Sequence, residues 1–280
     1  MVQNDKRPVM VTIRCIVFNQ EKYIKDCLEG IVNQQTNFRY EAIVHDDASS
    51  DHTTDIIREY EEKYPNIIKP IYENENQYSK HDGSLRRIMD DNTRGKYVAV
   101  CEGDDYWIDP LKLQKQYDFM EENLDCSLCF HANYIQMVSG EKKIHRPART
   151  TKYYTAKDII LGGGGIMATN SMFYRWNLIK NEKIPEFWEH SPVGDMPRML
   201  FLVAKGKFGY IDEIMSVYRA AADGSWSLNY KSKEFRKNHH KAIMRMFDEY
   251  DEYTHHRYHF LIVLKKTRNK MGYLYNILRK

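Results

Sequence analysis

The sequence predicts an α/β fold in which helices flank a mostly parallel central sheet. In its first third, short runs rich in β-branched residues alternate with helical patterns of about 10–15 residues. A strand, a helix and a second strand in succession form a right-handed crossover, which makes the two strands parallel. The predicted strands also end in polar, turn-forming residues, as buried strands do where they reach the surface.

The elements of the first third follow from local patterns. Residues 10–18 (MVTIRCIVF) are rich in β-branched side chains and predict a strand. Asn19-Gln20 then opens a helix, because the apolar residues 24, 27, 28 and 31 have the spacing of one helical face. The same patterns predict a strand at 40–44, a helix around 56–60, a strand at 67–72, a helix at 84–92 and a strand at 97–101.

The second half is predicted to be more mixed. A helix follows Pro110, and the remaining elements are a strand at 127–137, a short helix at 154–161, a helix opened by Asp195, a turn and strand at 206–219, and two basic helical segments in 232–280. Four glycines at 162–165 are not followed by Gly-Lys-Ser/Thr, so they indicate a turn or a close backbone approach and not a P-loop.

Composition indicates an ordinary globular protein. The 280 residues are 42% hydrophobic and 29% charged, with a net charge of +3. Basic residues concentrate at the end: residues 231–280 carry thirteen Lys/Arg against five Asp/Glu, and no acidic residue follows Arg257. We find no apolar run of the roughly 18 residues that a membrane helix needs, and no signal peptide. We therefore expect a cytoplasmic protein with reduced cysteines, in which Cys126 and Cys129 pack in a strand and bind no zinc.

Acidic residues follow two of the predicted strands. Asp46 and Asp47 come after the second strand, and the stretch EGDD, with Glu102, Asp104 and Asp105, comes after the fourth. In open parallel sheets, ligands bind beyond the carboxyl ends of the strands. Carboxylates suit Mg²⁺ or Mn²⁺, and such ions usually keep positions open for substrate phosphates. The pattern therefore predicts a cation site completed by a nucleotide diphosphate.

Three segments together resemble the amino-terminal half of family-two glycosyltransferases, which have the Rossmann-like GT-A fold. They are VTIRCIVFNQEKYIKDCLEGIVNQ, YEAIVHDDASSDHTTDII and GKYVAVCEGDDYWIDPLKLQKQ. PVGDMPRMLFLVAKGKFGYIDEIMSVYR resembles the second half, especially in members that assemble bacterial capsule or surface polysaccharide. The resemblance covers about 9–228 and implies one GT-A domain over 1–228. Its nucleotide-binding half would span about 9–109 and its acceptor-binding half about 110–228, followed by a basic helical extension over 229–280.

The resemblance also implies roles at the nucleotide. Asp47 would hydrogen-bond the pyrimidine ring, and Phe18 and Asn19 would flank the same nucleotide. Arg86 or Arg87, on the preceding predicted helix, would contact the nucleotide or its diphosphate; the alternative for each is a solvent-exposed helix charge.

At the second acidic stretch, the resemblance implies a metal site for Mn²⁺ or Mg²⁺. Asp105 would be the direct metal ligand, and Asp104 would lie near both the ribose and the metal. Glu102 occupies the position of the first Asp in the D-x-D of many relatives. One departure concerns Ala221, which stands where many relatives have His after Tyr-Arg; this change predicts one metal or diphosphate ligand fewer, and Asp223 is the nearby candidate to compensate.

Asp195 matches the family's catalytic base. A carboxylate within hydrogen-bond reach of an acceptor hydroxyl can take its proton during attack on the anomeric carbon. Attack opposite the departing diphosphate inverts that carbon. The alternative is a helix-capping carboxylate, since helix starts favour Asp.

The resemblance therefore predicts an inverting, metal-dependent transferase that moves a sugar from a UDP- or dTDP-sugar to a glycan or lipid-linked acceptor. Two alternatives stay open: a catalytically weakened protein that binds sugar nucleotides or glycans, and a sugar nucleotidyltransferase, although the Gly-rich, Lys-containing loop of the latter is missing.

The basic, tyrosine-rich segment 257–280 has two interpretations. Aliphatic residues mixed with Lys/Arg are typical of a helix that lies on an anionic membrane, which would place the protein peripherally at the inner face of the plasma membrane. The alternative is a packed helix with a solvated basic side. The sequence contains no recognised nucleic-acid-binding motif, so we do not expect a nucleic-acid partner.

Overall fold

The structure is a computed structural model that describes residues 7–220, 222 and 232–278. The predicted consequence of Ala221, and that of Asp223, lie outside the described residues.

The amino-terminal third has the predicted strand–helix alternation. Its elements are β1 (Val9–Val17), α1 (Ile24–Val32), β2 (Arg39–Asp46), α2 (Thr53–Lys63), β3 (Ile68–Tyr72), α3 (Ser84–Asn92) and β4 (Tyr97–Val100). β1 pairs in parallel with both β2 and β4, and β2 pairs in parallel with β3. The carboxyl ends of four strands therefore meet at one edge of the sheet.

The second half adds shorter strands and most of the helices. Its elements are β5 (Tyr106–Trp107), α4 (Lys112–Glu122), β6 (Cys126–Gln136), β7 (Lys142–His145), β8 (Lys152–Tyr154), α5 (Ala156–Gly162), β9 (Phe173–Arg175), α6 (Glu186–Glu189), α7 (Asp195–Lys205), β10 (Lys207–Arg219), α8 (Lys233–Tyr253) and α9 (His259–Leu278). The predicted α/β class and the helical carboxyl-terminal extension are confirmed. Cys126 and Cys129 are buried free thiols in β6, as expected for strand packing.

The sheet changes direction where the two halves meet. Its order is β3-β2-β1-β4-β9-β6-β10-β5, and β9 runs antiparallel to both β4 and β6. β6 therefore runs in the same direction as β4, β10 pairs in parallel with β6, and β5 pairs antiparallel with β10. The antiparallel pairings were not predicted, because a three-residue strand such as β9 has too short a pattern to identify from sequence.

Apolar side chains bury both faces of this sheet. One cluster lies between the parallel strands and α1 and α2, and a second packs α5, α7 and α8 against the other face. The extension belongs to the second cluster: the Tyr250 ring of α8 lies 5.1 Å from that of Phe187, and Ile262 of α9 is 1% exposed. Within the described ranges, every helix is too short or too polar to cross a bilayer.

Candidate active site

The loops after β1, β2 and β4 form one continuous edge because backbone hydrogen bonds join them. Asp47 N donates to Val17 O at 2.9 Å, and Gly103 N donates to Ile16 O at 3.1 Å. The two predicted acidic stretches are thereby attached to the end of the same strand, β1. The candidate site is built on this edge.

Glu102, Asp104 and Asp105 form a compact set of carboxylates, here called the acidic triad. One oxygen from each lies within 4.8 Å of the others. Burial, followed by the charges of Asp104 and Asp195, raises the pKa of Glu102 to about 7. Burial also raises the pKa of Asp104, and it raises that of Asp105 well above its usual value, with the other two carboxylates adding to the effect. So much negative charge out of water calls for a proton or a cation.

Asp105 has the clearest unused ligand atom. Its Oδ1 accepts a hydrogen bond from Arg219 N at 2.8 Å, whereas its buried Oδ2 has no partner among the described residues. Buried polar atoms are nearly always satisfied, so an orphaned carboxylate oxygen indicates a missing partner. Three oxygen donors without Cys or His fit Mg²⁺ or Mn²⁺. The residues predicted to bind metal, Asp104 and Asp105, are thus brought together in a suitable environment.

Arg219, the last residue of β10, positions this loop, and the sequence did not identify that role. Besides the contact to Asp105, its Nη1 donates to Asp104 O at 2.9 Å, and its guanidinium lies 4.4 Å from the centre of the Tyr106 ring. It also pairs with Asp26 of α1. In the sequence Arg219 appears only as the last residue of SVYR. Its partner Asp105 is 114 residues away, so no local pattern links the two.

Asp195 lies near the acidic triad although it belongs to the second half of the chain. It is the first residue of α7, and its charge raises the pKa values of Glu102 and Tyr218. Its Oδ1 accepts a hydrogen bond from Met196 N at 2.7 Å. Gly194, and not Asp195, occupies the N-cap position. A methyl group added at Gly164 would lie 3.7 Å from Asp195 Oδ2, so the glycine run borders this carboxylate.

Two further residues near the acidic triad were missed by the sequence analysis. Burial, and then the charges of Asp105 and Glu102, raises the pKa of Tyr218 to about 12. Arg198 lies one turn after Asp195 in α7, and its positive charge partly offsets the increase in the pKa of Glu102. Its guanidinium also lies 5.6 Å from the centre of the Tyr174 ring. A half-buried cation beside three carboxylates is placed to meet an anionic group. The apolar spacing of α7 indicates only the face that packs in the core, and it does not identify Arg198.

The residues predicted at the nucleotide lie at the same edge, with contacts of their own. Asp47 is 1% exposed, and its carboxylate accepts the backbone N–H groups of Gln77 at 2.6 Å and Tyr78 at 3.0 Å. Asp47 therefore holds the segment that carries Tyr78, a half-exposed aromatic side chain. The pKa of Tyr78 is raised by burial and by the charge of Glu102, which places it toward the acidic triad.

Phe18 and Asn19 follow β1 directly. Phe18 is 46% exposed, so its ring is available to a ligand. Asn19 has φ of +52°, a conformation that Asn tolerates better than most residues. Its Oδ1 accepts a hydrogen bond from Ser50 N at 2.7 Å, which ties the end of β1 to the loop after β2. Asn19 thus shapes the edge on which Phe18 is exposed.

Arg86 and Arg87 are engaged within their own region. Arg86 Nη1 pairs with Asp90 at 2.9 Å, and Arg87 Nη1 donates to Asp82 O at 2.8 Å. In the described part of the chain, neither guanidinium contacts the acidic triad. Their proposed contact with a nucleotide stays a prediction that would require these local bonds to exchange.

Comparison with known proteins identifies the family. The model of glycosyl transferase family 2 matches residues 12–180. An uncharacterised protein of Mycobacterium tuberculosis is 34% identical over 227 residues, which cover 80% of this chain and 62% of that protein. A putative teichuronic acid biosynthesis glycosyltransferase of Bacillus subtilis is 31% identical over 156 residues, 55% of this chain and 59% of that protein. The chain thus spans about three fifths of the length of these relatives.

A solved structure supports the fold. S. aureus TarS 1-349 in complex with UDP-GlcNAc superposes with a TM-score of 0.63 at 17% identity, covering 86% of this chain and 66% of that one. At that identity the likeness concerns the fold alone. The family model covers more than half of the chain, and the GT-A-like sheet carries an acidic triad at the expected edge. The chain therefore belongs to glycosyl transferase family 2.

Proposed function

We propose that the protein is an inverting glycosyltransferase that moves a sugar from a UDP-sugar, or alternatively a dTDP-sugar, to a glycan or lipid-linked acceptor in surface-polysaccharide synthesis. The observation that carries the proposal is the placement of Asp195 beside the acidic triad, of which Asp105 is buried, at the carboxyl edge of the sheet. Residues of about 9–109 would bind the donor, and those of about 110–228 the acceptor.

The donor would lie across the strand ends. Phe18 and Asn19 are assigned to the nucleoside, with Tyr78 as an additional aromatic contact on the segment that Asp47 holds. Asp47 is assigned to the base, and a direct bond to it would require the bonds to Gln77 N and Tyr78 N to exchange. UDP is favoured because the TarS structure was determined with UDP-GlcNAc and because a pyrimidine is the base that the family motif predicts at Asp47. Arg86 or Arg87 would approach from α3.

Asp105, with Asp104, would hold Mn²⁺ or Mg²⁺ through the unpartnered Oδ2 of Asp105. When bound, such an ion supplies positive charge to the diphosphate as it leaves. Arg219 holds the Asp105 carboxylate through its backbone N–H and the loop backbone through the bond from its guanidinium to Asp104 O. Arg198 is placed to face the diphosphate or a charged acceptor from α7.

The chemical step assigned to this chain is proton removal. Asp195 takes the proton of an acceptor hydroxyl while the hydroxyl oxygen forms a bond to the anomeric carbon. The bond from that carbon to the diphosphate oxygen breaks, and the nucleoside diphosphate leaves with the electron pair. Attack from the side opposite the leaving group inverts the configuration.

Asp195→Asn tests the assignment, with Asp55→Asn as a matched control because Asp55 is an exposed first-turn aspartate on α2. We expect Asp195→Asn to lower turnover by about 10²–10⁴-fold while UDP affinity in Mn²⁺ stays within about twofold, since a general base acts mainly in the transition state. UDP release from a panel of UDP- and dTDP-sugars measures turnover, and calorimetry measures binding. Unchanged turnover in Asp195→Asn would remove Asp195 from the mechanism. UDP binding without turnover in the wild-type protein would favour the sugar-nucleotide-binding alternative.

A further inference from the structure

Helix α9 presents an apolar face to solvent. Ile262 is 1% exposed and faces the protein, together with Lys265, which is half-buried. At about 100° per residue, the opposite side of the helix forms an arc of roughly 100° centred near Phe260. The large apolar members of this arc, with their exposed fractions, are Phe260 (90%), Val263 (48%), Leu264 (41%), Met271 (65%) and Leu274 (47%). A globular helix normally buries such an arc, so this one calls for a partner.

Cations flank the apolar arc on both sides. Arg268 and Lys270 are exposed and fall on opposite borders of the arc by the helical periodicity, and Arg257 is exposed just before the helix begins. No Asp or Glu occurs between residues 257 and 280. An apolar arc with basic borders is complementary to an anionic lipid surface, where side chains enter the acyl boundary and cations meet headgroups. A second copy of α9 would instead bring like charges together.

The inner face of α9 reaches the segment beside the proposed base. Lys265 Nζ donates to Leu161 O at 3.1 Å, at the end of α5. The glycine run follows immediately, and Gly164 borders the Asp195 carboxylate. The apolar arc therefore belongs to the helix that supports the acceptor side of the site.

We propose that α9 lies in the plane of an anionic membrane, with its apolar arc inserted at the headgroup boundary and Arg268 and Lys270 on the headgroups. This contact would hold the site next to a lipid-linked acceptor. The part concerning the acceptor rests on the proposed function, whereas the membrane contact itself does not.

Vesicle flotation of the full chain tests the contact. The probes are phosphatidylcholine vesicles with and without about 30% phosphatidylglycerol, which supplies the negative surface. We expect flotation with the anionic vesicles and a loss at high salt, because screening weakens surface attraction. The variant Phe260→Gln/Met271→Gln should lower partitioning by about tenfold or more, since both side chains supply apolar contact. Leu124→Gln is the matched control: Leu124 is 76% exposed in the turn after α4, and its replacement should leave vesicle binding unchanged.

The outcomes separate the membrane contact from the donor site. Circular dichroism and UDP affinity of the free protein should be the same in the double variant and in wild type. The proposal is overturned if wild type does not float with anionic vesicles, or if the double variant floats equally well. It is also overturned if the double variant only dissociates a dimer, measured by light scattering, while no vesicle is bound. Vesicle binding without UDP binding would leave the membrane contact standing and refute the donor assignment.

Discussion

Replacing Asp105 with Asn should stabilise the ligand-free protein and abolish the further stabilisation that Mn²⁺ and UDP provide. The Asp105 carboxylate is fully buried beside two other carboxylates, and its Oδ2 has no partner in the part of the chain that the structure describes. The amide has nearly the same shape and keeps an oxygen that can accept from Arg219 N. Its NH₂ group can donate to Asp104 or Glu102. An unsatisfied buried polar group costs about 1–3 kcal/mol, so the ligand-free variant should be more stable by about that amount.

In the presence of ligand, the same substitution should reduce the stabilisation that ligand binding provides. Mn²⁺ and UDP at about 100 times their dissociation constant would stabilise the wild-type protein by about 2.7 kcal/mol. The variant lacks the charged oxygen that would hold the ion, so this gain should largely disappear. For a chain of this size, about 1 kcal/mol corresponds to roughly 2–4 °C in Tm. We therefore expect the ligand-free Tm to rise by about 2–12 °C and the ligand-induced shift of about 5–11 °C to vanish.

Thermal shift with and without UDP and Mn²⁺ measures both effects in one plate. Asp118→Asn is the control, because Asp118 lies on the exposed side of α4 and should change neither Tm nor the ligand-induced shift. The reasoning is refuted if Asp105→Asn lowers the ligand-free Tm and keeps the full ligand-induced shift. Such a result would mean that Asp105 supports the loop and does not hold a cation.

Three other substitutions test packing and protonation in the helices. Gly30→Ala should destabilise by about 1–2 kcal/mol, because its methyl group would lie 2.7 Å from Trp107 O and the overlap outweighs the helix-propensity gain. Gly272→Ala is also in a helix, but among the described residues no atom outside the local helix backbone would lie within 4 Å of the added methyl group, so this change should instead stabilise by about 0.5–1 kcal/mol. Denaturant titration of both variants checks the contrast, and equal effects would contradict it. Burial lowers the pKa of Lys112 to about 7. Above that pH the unfolded chain binds more protons than the folded protein, so the free energy of unfolding should rise by about 2 kcal/mol from about pH 7 to 9. Lys112→Met should lack this rise in denaturant titrations at the two pH values; a rise that persists in the variant would assign the pH dependence to another group.

The site depends on the order in which strands pair. β1 lies between β2 and β4, so the loops that carry Asp47 and the acidic triad both attach to its end. β10 then brings Arg219 to the same loop from the second half of the chain. The arrangement brings candidate donor contacts, a candidate cation site and a candidate base to one edge, although these residues are widely separated in sequence.

Local patterns were sufficient to predict the helices and strands of the first third and the residues at their ends. The predicted strands end at Val44 and Cys101, so the sequence places both acidic stretches immediately after a strand. Hydrophobic periodicity acts over a few residues, and it is therefore readable from sequence. Strand β9 was not predicted because three residues are too few to show a hydrophobic period.

The sequence by itself determined the fold class, the family resemblance and the identity of the acidic residues at the strand ends. Tertiary structure decided which oxygen of Asp105 lacks a partner, that Arg219 holds its loop, and that Asp195 approaches Glu102. It also decided which face of α9 is buried. The physical reason is the same in each case: these features depend on contacts between distant segments, and desolvation and pairing arise only when those segments pack together.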